Sequence, residues 1–168
     1  MRGESKILVA AIIFSVLLII GFVALSGKSS SEEIKPMGDV SGISVEPSNY
    51  NLGDVPIKGG TVTKEYKIKN TTNNTIKLKK LATSCMCTKA KVKIGDKETR
   101  LFGMEGMGDK NPSVNLEVAP NEEMLVTAIF DPAAHGPQGV GPFDRSVFLT
   151  FSDPSGVREL KFSGKVVS

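Results

Sequence analysis

From about Ile43 to the end, the sequence predicts an all-β domain, a sandwich of antiparallel strands. Three observations carry this expectation. Apolar residues recur at every second position in short runs, turn residues (Gly, Pro, Asn, Asp) separate the runs, and no helical period competes beyond Gly27. Side chains alternate between the two faces of a strand, so a period of two puts one face on a core and the other in water. Short strands of this kind, spaced by turn residues, form the pattern of a sandwich.

Taken in order, Ile43 and Val45 lead into Pro47, and Tyr50, Leu52 and Gly53 precede a turn at Lys58-Gly59-Gly60. Val62, Tyr66 and Ile68 share one parity and end at Asn70-Thr71-Thr72-Asn73-Asn74, a cluster suited to a hairpin-type turn. Ile76 and Leu78 share the next face, whereas Leu81 and Thr83 fall on the opposite parity, so a bulge is expected near Lys79-Lys80. Val92 and Ile94 follow, then a Gly-rich stretch. Val114, Leu116 and Val118 alternate before Pro120-Asn121, Met124 to Phe130 before Asp131-Pro132, and Val147 to Phe151 before Asp153-Pro154. Leu160, Phe162 and Val166 close the domain, and Val126, Phe130, Val147, Leu149 and Phe162 are expected inside. The sequons at Asn70 and Asn73 matter only in a eukaryotic secretory pathway.

The start of the chain is different in kind. Ile7 to Gly27 is apolar and uncharged, and a membrane-spanning helix needs about 20 such residues. Arg2 and Lys6 precede the run, which keeps the short head in the cytoplasm and sends the rest outside. Residues 1–27 are therefore expected to be a cytoplasmic head and transmembrane anchor, 28–42 a polar flexible linker, and 43–168 the sandwich. The competing reading is a cleaved signal peptide ending near Ala24-Leu25-Ser26, but the apolar run exceeds the usual signal core. The implied location is a single-pass membrane protein with its C-terminal domain outside the cytoplasm.

Charge excludes some functions. The formal net charge is only +3, and Lys64, Lys67, Lys69, Lys77, Lys79 and Lys80 are spread along strands without interleaved aromatics. A solvated sheet face explains them better than a nucleic-acid surface. With one histidine and no Gly-x-Ser-x-Gly elbow, P-loop or paired-carboxylate signal, the chain is not expected to be an enzyme.

The chemistry of the chain rests on Ser84-Cys85-Met86-Cys87-Thr88, which holds the only two cysteines. At the end of a strand, positions i and i+2 point the same way, so both sulfurs project from one face. A disulfide between them looks geometrically poor, because extended residues two apart lie roughly 6.6 Å apart at Cα and closure needs a local kink. A metal ion bridges the gap with less strain. Two small core residues are the plain alternative, since free Cys is among the most buried residue types.

Two long excursions interrupt the strand rhythm, Leu101 to Asp109 and Asp131 to Pro142. Long loops on a compact sandwich are functional or mobile. Met104 and Met107 sit on the first and His135, the sole histidine, on the second. Thiolate and thioether favour Cu(I), and imidazole suits copper and zinc. A site of Cys85, Cys87, His135 and one methionine forms if both loops fold over the cysteines. Each methionine is equally able to serve as loop packing.

Several stretches resemble a bacterial family. They are Leu52-Gly53-Asp54-Val55, Glu65 to Asn70, Ser84 to Thr88, Ala119-Pro120-Asn121-Glu122, Ile129-Phe130-Asp131-Pro132 and Phe162-Ser163-Gly164. The family is an uncharacterised immunoglobulin-like one catalogued as domain of unknown function 1573, and the likeness runs from about Ile43 onward. It implies an immunoglobulin-like β-sandwich, usually exported, with no established activity. Similar chains carry a Gly-Met-x-Gly-His segment and an Asp-Pro-x-x-His-Gly-Pro segment. The second is intact here as Asp131 to Pro137, whereas Met107 stands where the first would place His. That exchange keeps a copper ligand and argues against zinc.

Three readings are open at this stage. The first is soft-metal binding, Cu(I) above all, at a membrane-tethered extracytoplasmic domain. The second is a structural or interaction module with an unidentified protein partner and no metal. The third is a thiol redox protein, which ranks last because such proteins prefer Cys-x-x-Cys at a helix start.

Overall fold

The computed structural model describes residues 40–106 and 110–168. Ten strands are present among them: β1 (Ile43–Glu46), β2 (Asn49–Pro56), β3 (Val62–Asn70), β4 (Ile76–Thr83), β5 (Thr88–Ile94), β6 (Lys97–Glu98), β7 (Leu116–Val118), β8 (Glu123–Phe130), β9 (Gly141–Asp153) and β10 (Ser155–Val167). They form two five-stranded sheets, in the orders β1-β3-β8-β5-β6 and β2-β10-β9-β4-β7. The all-β sandwich expected from the alternation is present. The first sheet is antiparallel throughout. The second is mixed, because β2 runs parallel to β10. This corrects the expectation of purely antiparallel sheets, and the physical reason is simple: a period of two specifies which face is buried but not which way a strand runs.

The core lies between the sheets. Tyr66, Ile68, Val126, Phe130, Val147, Leu149, Phe151 and Phe162 are all buried, including every residue expected inside. Each fully buried aliphatic or Phe side chain contributes roughly 1.5–3 kcal/mol. The bulge expected near Lys79-Lys80 is there: the register of β4 on β9 shifts between Leu78 and Lys80. It lets Ile76 and Leu78 share the core with Leu81 and Thr83 despite their opposite parities. Val40 packs into the core ahead of β1.

Polar ties cross this apolar layer. The Tyr66 hydroxyl on β3 donates to the Lys161 carbonyl on β10 at 2.7 Å, linking the two sheets. Asn70, at the end of β3, is 0% exposed. Its amide Nδ2 donates to the carbonyls of Asn74, Val118 and Ala119, and its Oδ1 accepts from the Thr72 amide and hydroxyl. Asn70 is thus a structural knot between a hairpin turn and β7, and its side chain is closed to modification.

Both passages from β4 to β5 and from β8 to β9 carry the chain from one sheet to the other. They do so at the same end of the sandwich. The β4–β9 ladder ends at Thr83 opposite Val147, and the β5–β8 ladder begins at Thr88 opposite Phe130. A third segment reaches this end: Phe102 exchanges backbone hydrogen bonds of 2.7 and 2.8 Å with Ala90, and the Thr83 amide donates to the Gly103 carbonyl at 3.2 Å.

Among the described residues no helix is long and apolar enough to cross a membrane. The apolar run Ile7 to Gly27 and most of the expected linker lie outside the described residues.

Two stability effects follow from the polar ties. Replacing Asn70 by Ala leaves several buried carbonyls and an amide without partners, at a cost of about 2–4 kcal/mol. The urea midpoint of the full-length N70A chain should fall accordingly; an unchanged midpoint would remove Asn70 as a tie. Burial first, and then the neighbouring Tyr50, push the Tyr66 phenol up from its ordinary value of 10.0. The folded chain therefore holds this proton where the unfolded chain has lost it. The stability it contributes is present below about pH 10 and is lost as pH rises beyond that value. Between pH 9 and 11 the wild-type chain should lose stability faster than Tyr66→Phe, by up to about 1.4 kcal/mol per pH unit. Parallel curves from urea melts would refute this.

Candidate metal centre

The four residues Ser84 to Cys87 make the whole passage from β4 to β5. Packed sheets lie about 10 Å apart, so so short a passage has to cross directly through the end of the core. Its shape is set by hydrogen bonds. The Thr88 amide donates to the Cys85 carbonyl at 3.1 Å, closing a turn. The Thr83 hydroxyl sits between the carbonyls of Cys85 and Thr88, at 3.1 and 3.0 Å. Ser84 is pinned to β9, donating its amide to the Ser146 carbonyl and accepting the Ser146 amide on its hydroxyl.

The cysteines therefore occupy a turn and not the extended end of a strand. Their Cα atoms are 5.2 Å apart, closer than extended residues two apart, and the two sulfurs are joined as a disulfide. The chain is bent here, as closure within the pair is expected to require. The kink that closure requires is supplied by the sheet crossing. Both residues remain on the inside, as the parity of Leu81 and Thr83 implies: Cys85 is 9% and Cys87 3% exposed. Met86 between them points outward and is exposed.

His135 comes to the same place by the other crossing. The Asp131 amide donates to the Cys87 carbonyl at 2.8 Å, which fixes the loop root against the cysteine turn. The Asp131 carboxylate accepts the Ala133 amide at 2.9 Å, and the Gly136 amide donates to the Ala133 carbonyl at 2.8 Å. Gly136 has φ +61°, a left-handed conformation that glycine adopts without strain. It turns the chain into a short 3-10 segment, Gly136–Gly139. Gly139 lies so close that a Cβ there would meet the Cβ of His135 at 3.2 Å. The loop thereby folds back and holds His135 Nε2 3.2 Å from Cys85 Sγ. The ligand atoms of Cys85, Cys87 and His135 all lie within 4.8 Å of one another, the one such trio of Cys, His or carboxylate groups among the described residues.

Met104 follows Gly103, whose carbonyl is held by the Thr83 amide two residues before Cys85. The backbone of the methionine segment is thus at the cysteine end, steadied by Asn111, whose Nδ2 donates to the Gly103 carbonyl at 2.7 Å. The Met104 side chain is half-buried. Met107 lies outside the described residues.

One side chain that touches the cysteine pair escaped the sequence reading. Arg145 Nε donates to Cys87 Sγ at 3.2 Å, and its Nη1 donates to the Asp144 carbonyl at 2.8 Å. On β9 it shares parity with Phe143, Val147, Leu149 and Phe151, all buried, and its partner across the β10 ladder is Phe162, also buried. It is a cation on an inward-facing row. The signal was visible: Arg145 is the one charge in the otherwise apolar alternating run Phe143, Val147, Leu149 and Phe151.

In its dithiol form the arrangement offers two thiolates and an imidazole on a half-closed floor. Ligands of one metal ion at bonds of 2.0–2.3 Å lie roughly 3.5–4 Å apart, so the trio needs only a small opening of the sulfur pair to hold a soft ion. Hard cations, which demand oxygen ligands, do not fit it.

The fold recurs in a protein of unknown function from Porphyromonas gingivalis W83, at 15% identity and a TM-score of 0.52 over 73% of this chain. The chain spans 46% of that protein's length. The PapD-like domain 7 of human CEP192 is also similar, at 16% identity and a TM-score of 0.45 over 83% of this chain and 96% of that one. WR4, an MSP family member of C. elegans, shows 12% identity and a TM-score of 0.36 over 76% of this chain and 100% of that one. No protein of curated function matches the sequence. Residues 43–105, from β1 through the cysteine turn to the Met104 segment, match the family described as Protein of unknown function (DUF1573), which is the family that the cysteine and strand motifs resemble.

Proposed function

We propose that this chain is a membrane-anchored, extracytoplasmic immunoglobulin-like domain that binds Cu(I) through Cys85, Cys87 and His135, with Met104 or Met107 as a further soft ligand. The observation that supports it is the convergence of both sulfurs and the His135 ring within 4.8 Å. Chain connectivity does not impose this, because His135 arrives on a separate loop fifty residues away from Cys85. The ligand set is soft, as Cu(I) prefers. The joined pair is the oxidised form of the site. An external dithiol opens it in a two-electron step, its own two thiols becoming a disulfide while two protons end on Cys85 and Cys87. Loading of Cu(I) then releases those two protons to solvent. The protein carries or buffers copper and performs no catalysis.

The test is an anaerobic Cu(I) titration of the reduced full-length chain in mild detergent against a competing chelator. Replacing both Cys85 and Cys87 by Ser should abolish tight binding, and His135→Ala should weaken it by about tenfold or more, one ligand being worth at least 1.4 kcal/mol. A wild-type chain that takes up no Cu(I) sinks the proposal and leaves the interaction module. Location has its own test, motivated by Arg2 and Lys6 ahead of the uncharged run. Protease added to intact spheroplasts should digest the sandwich; full protection would reverse the orientation, and mature protein starting near Gly27 would show a cleaved signal.

A further inference from the structure

Resting on the Cu(I) reading above, we infer that Arg145 is a specificity-determining residue that makes the site select a monovalent over a divalent cation. The reason is charge matching. Two thiolates contribute two negative charges and a neutral imidazole none. Cu(I) leaves that set with one net negative charge, which the guanidinium beside Cys87 Sγ cancels. Zn(II) alone would already neutralise the thiolates, and Arg145 would then leave an uncompensated positive charge beside the buried sulfurs. Charges in partly buried places interact far more strongly than in water, and the uncompensated one is the costly one.

Three observations make Arg145 suited to this task. Its charge is permanent, since a guanidinium does not lose its proton in proteins. Its direction is fixed: it stands on the inward row of β9 opposite Phe162, and Nη1 is anchored on the Asp144 carbonyl while Nε points at the sulfur. Its charge is also uncommitted, because no carboxylate among the described residues forms an ion pair with it. A structural arginine on an inward row would be expected to carry an acidic partner. Here the group within reach is the sulfur of Cys87.

The experiment compares Cu(I) and Zn(II), each alone, on reduced full-length wild type, R145Q and R145K by anaerobic chelator competition. R145Q should lose about tenfold in Cu(I) affinity and gain about tenfold for Zn(II), moving the ratio by about a hundredfold. R145K, which keeps the charge, should hold the ratio within about threefold of wild type. If wild type binds Cu(I) and R145Q keeps the wild-type ratio, Arg145 is no selector and the copper reading stands without it. If R145Q weakens both metals equally, Arg145 only positions Cys87, and the inference fails. If wild type binds no Cu(I), the copper reading itself fails and takes the inference with it. Should R145Q not fold, judged by far-UV circular dichroism, R145M replaces it as the neutral variant and is read by the same outcomes; an R145K chain that folds but shifts the ratio by about tenfold or more also overturns the selector role.

Discussion

The candidate site depends on one constraint of topology: two chain crossings between the sheets fall at the same end of the sandwich. β4 and β5 belong to different sheets, as do β8 and β9, and the pairs meet where Thr83 faces Val147 and Thr88 faces Phe130. A four-residue crossing cannot stay extended and cannot stay on the surface. It bends, and it carries its side chains over the end of the core. That bend puts Cys85 and Cys87 beside each other and buries them, and the neighbouring crossing brings His135 down on the pair.

Backbone hydrogen bonding has to be settled wherever a chain leaves a ladder. Here the settlement and the site are the same structure. Thr83 places its hydroxyl between two turn carbonyls, Asp131 gives its amide to Cys87, and Ser84 and Ser146 bind one another across β4 and β9. No described buried side-chain polar atom is left without a partner. The ligand geometry is therefore held by groups at the ends of β4, β5 and β8 and by Ser146 within β9, which is a stiffer support than a free loop offers. Stiffness matters for a soft-metal site because the protein selects among ions by ligand type and geometry more than by raw affinity.

The opposite end of the domain is held by different means. Asn70 gathers carbonyls there from a hairpin turn and from β7, while Tyr66, midway along β3, spans the sheets with a single hydroxyl. These ties satisfy buried backbone groups and bring together no soft or charged side chains. The contrast with the cysteine end is instructive. A buried polar residue that finds carbonyls is structural, whereas a half-buried cation whose neighbour is sulfur is a different kind of contact.

By itself the sequence determined the β-sandwich class, the interior faces and even the bulge at Lys79-Lys80, because alternation of apolar residues is a local property and burial follows it. It also named Cys85, Cys87 and His135, since soft ligands are scarce enough in this chain to stand out. Only the tertiary structure decided that Cys85 and Cys87 lie in a kinked turn close enough to join, because the kink comes from the jump between sheets and not from any turn residue in Ser84-Cys85-Met86-Cys87. Strand direction was likewise beyond local reach, and β2 pairs parallel to β10 with the same alternation that an antiparallel strand would show. Arg145 sits between the two cases. Its odd place in an apolar row was written in the sequence, but the partner that makes sense of it, Cys87 Sγ, is fifty-eight residues away and becomes a neighbour only when β9 passes the end of β4.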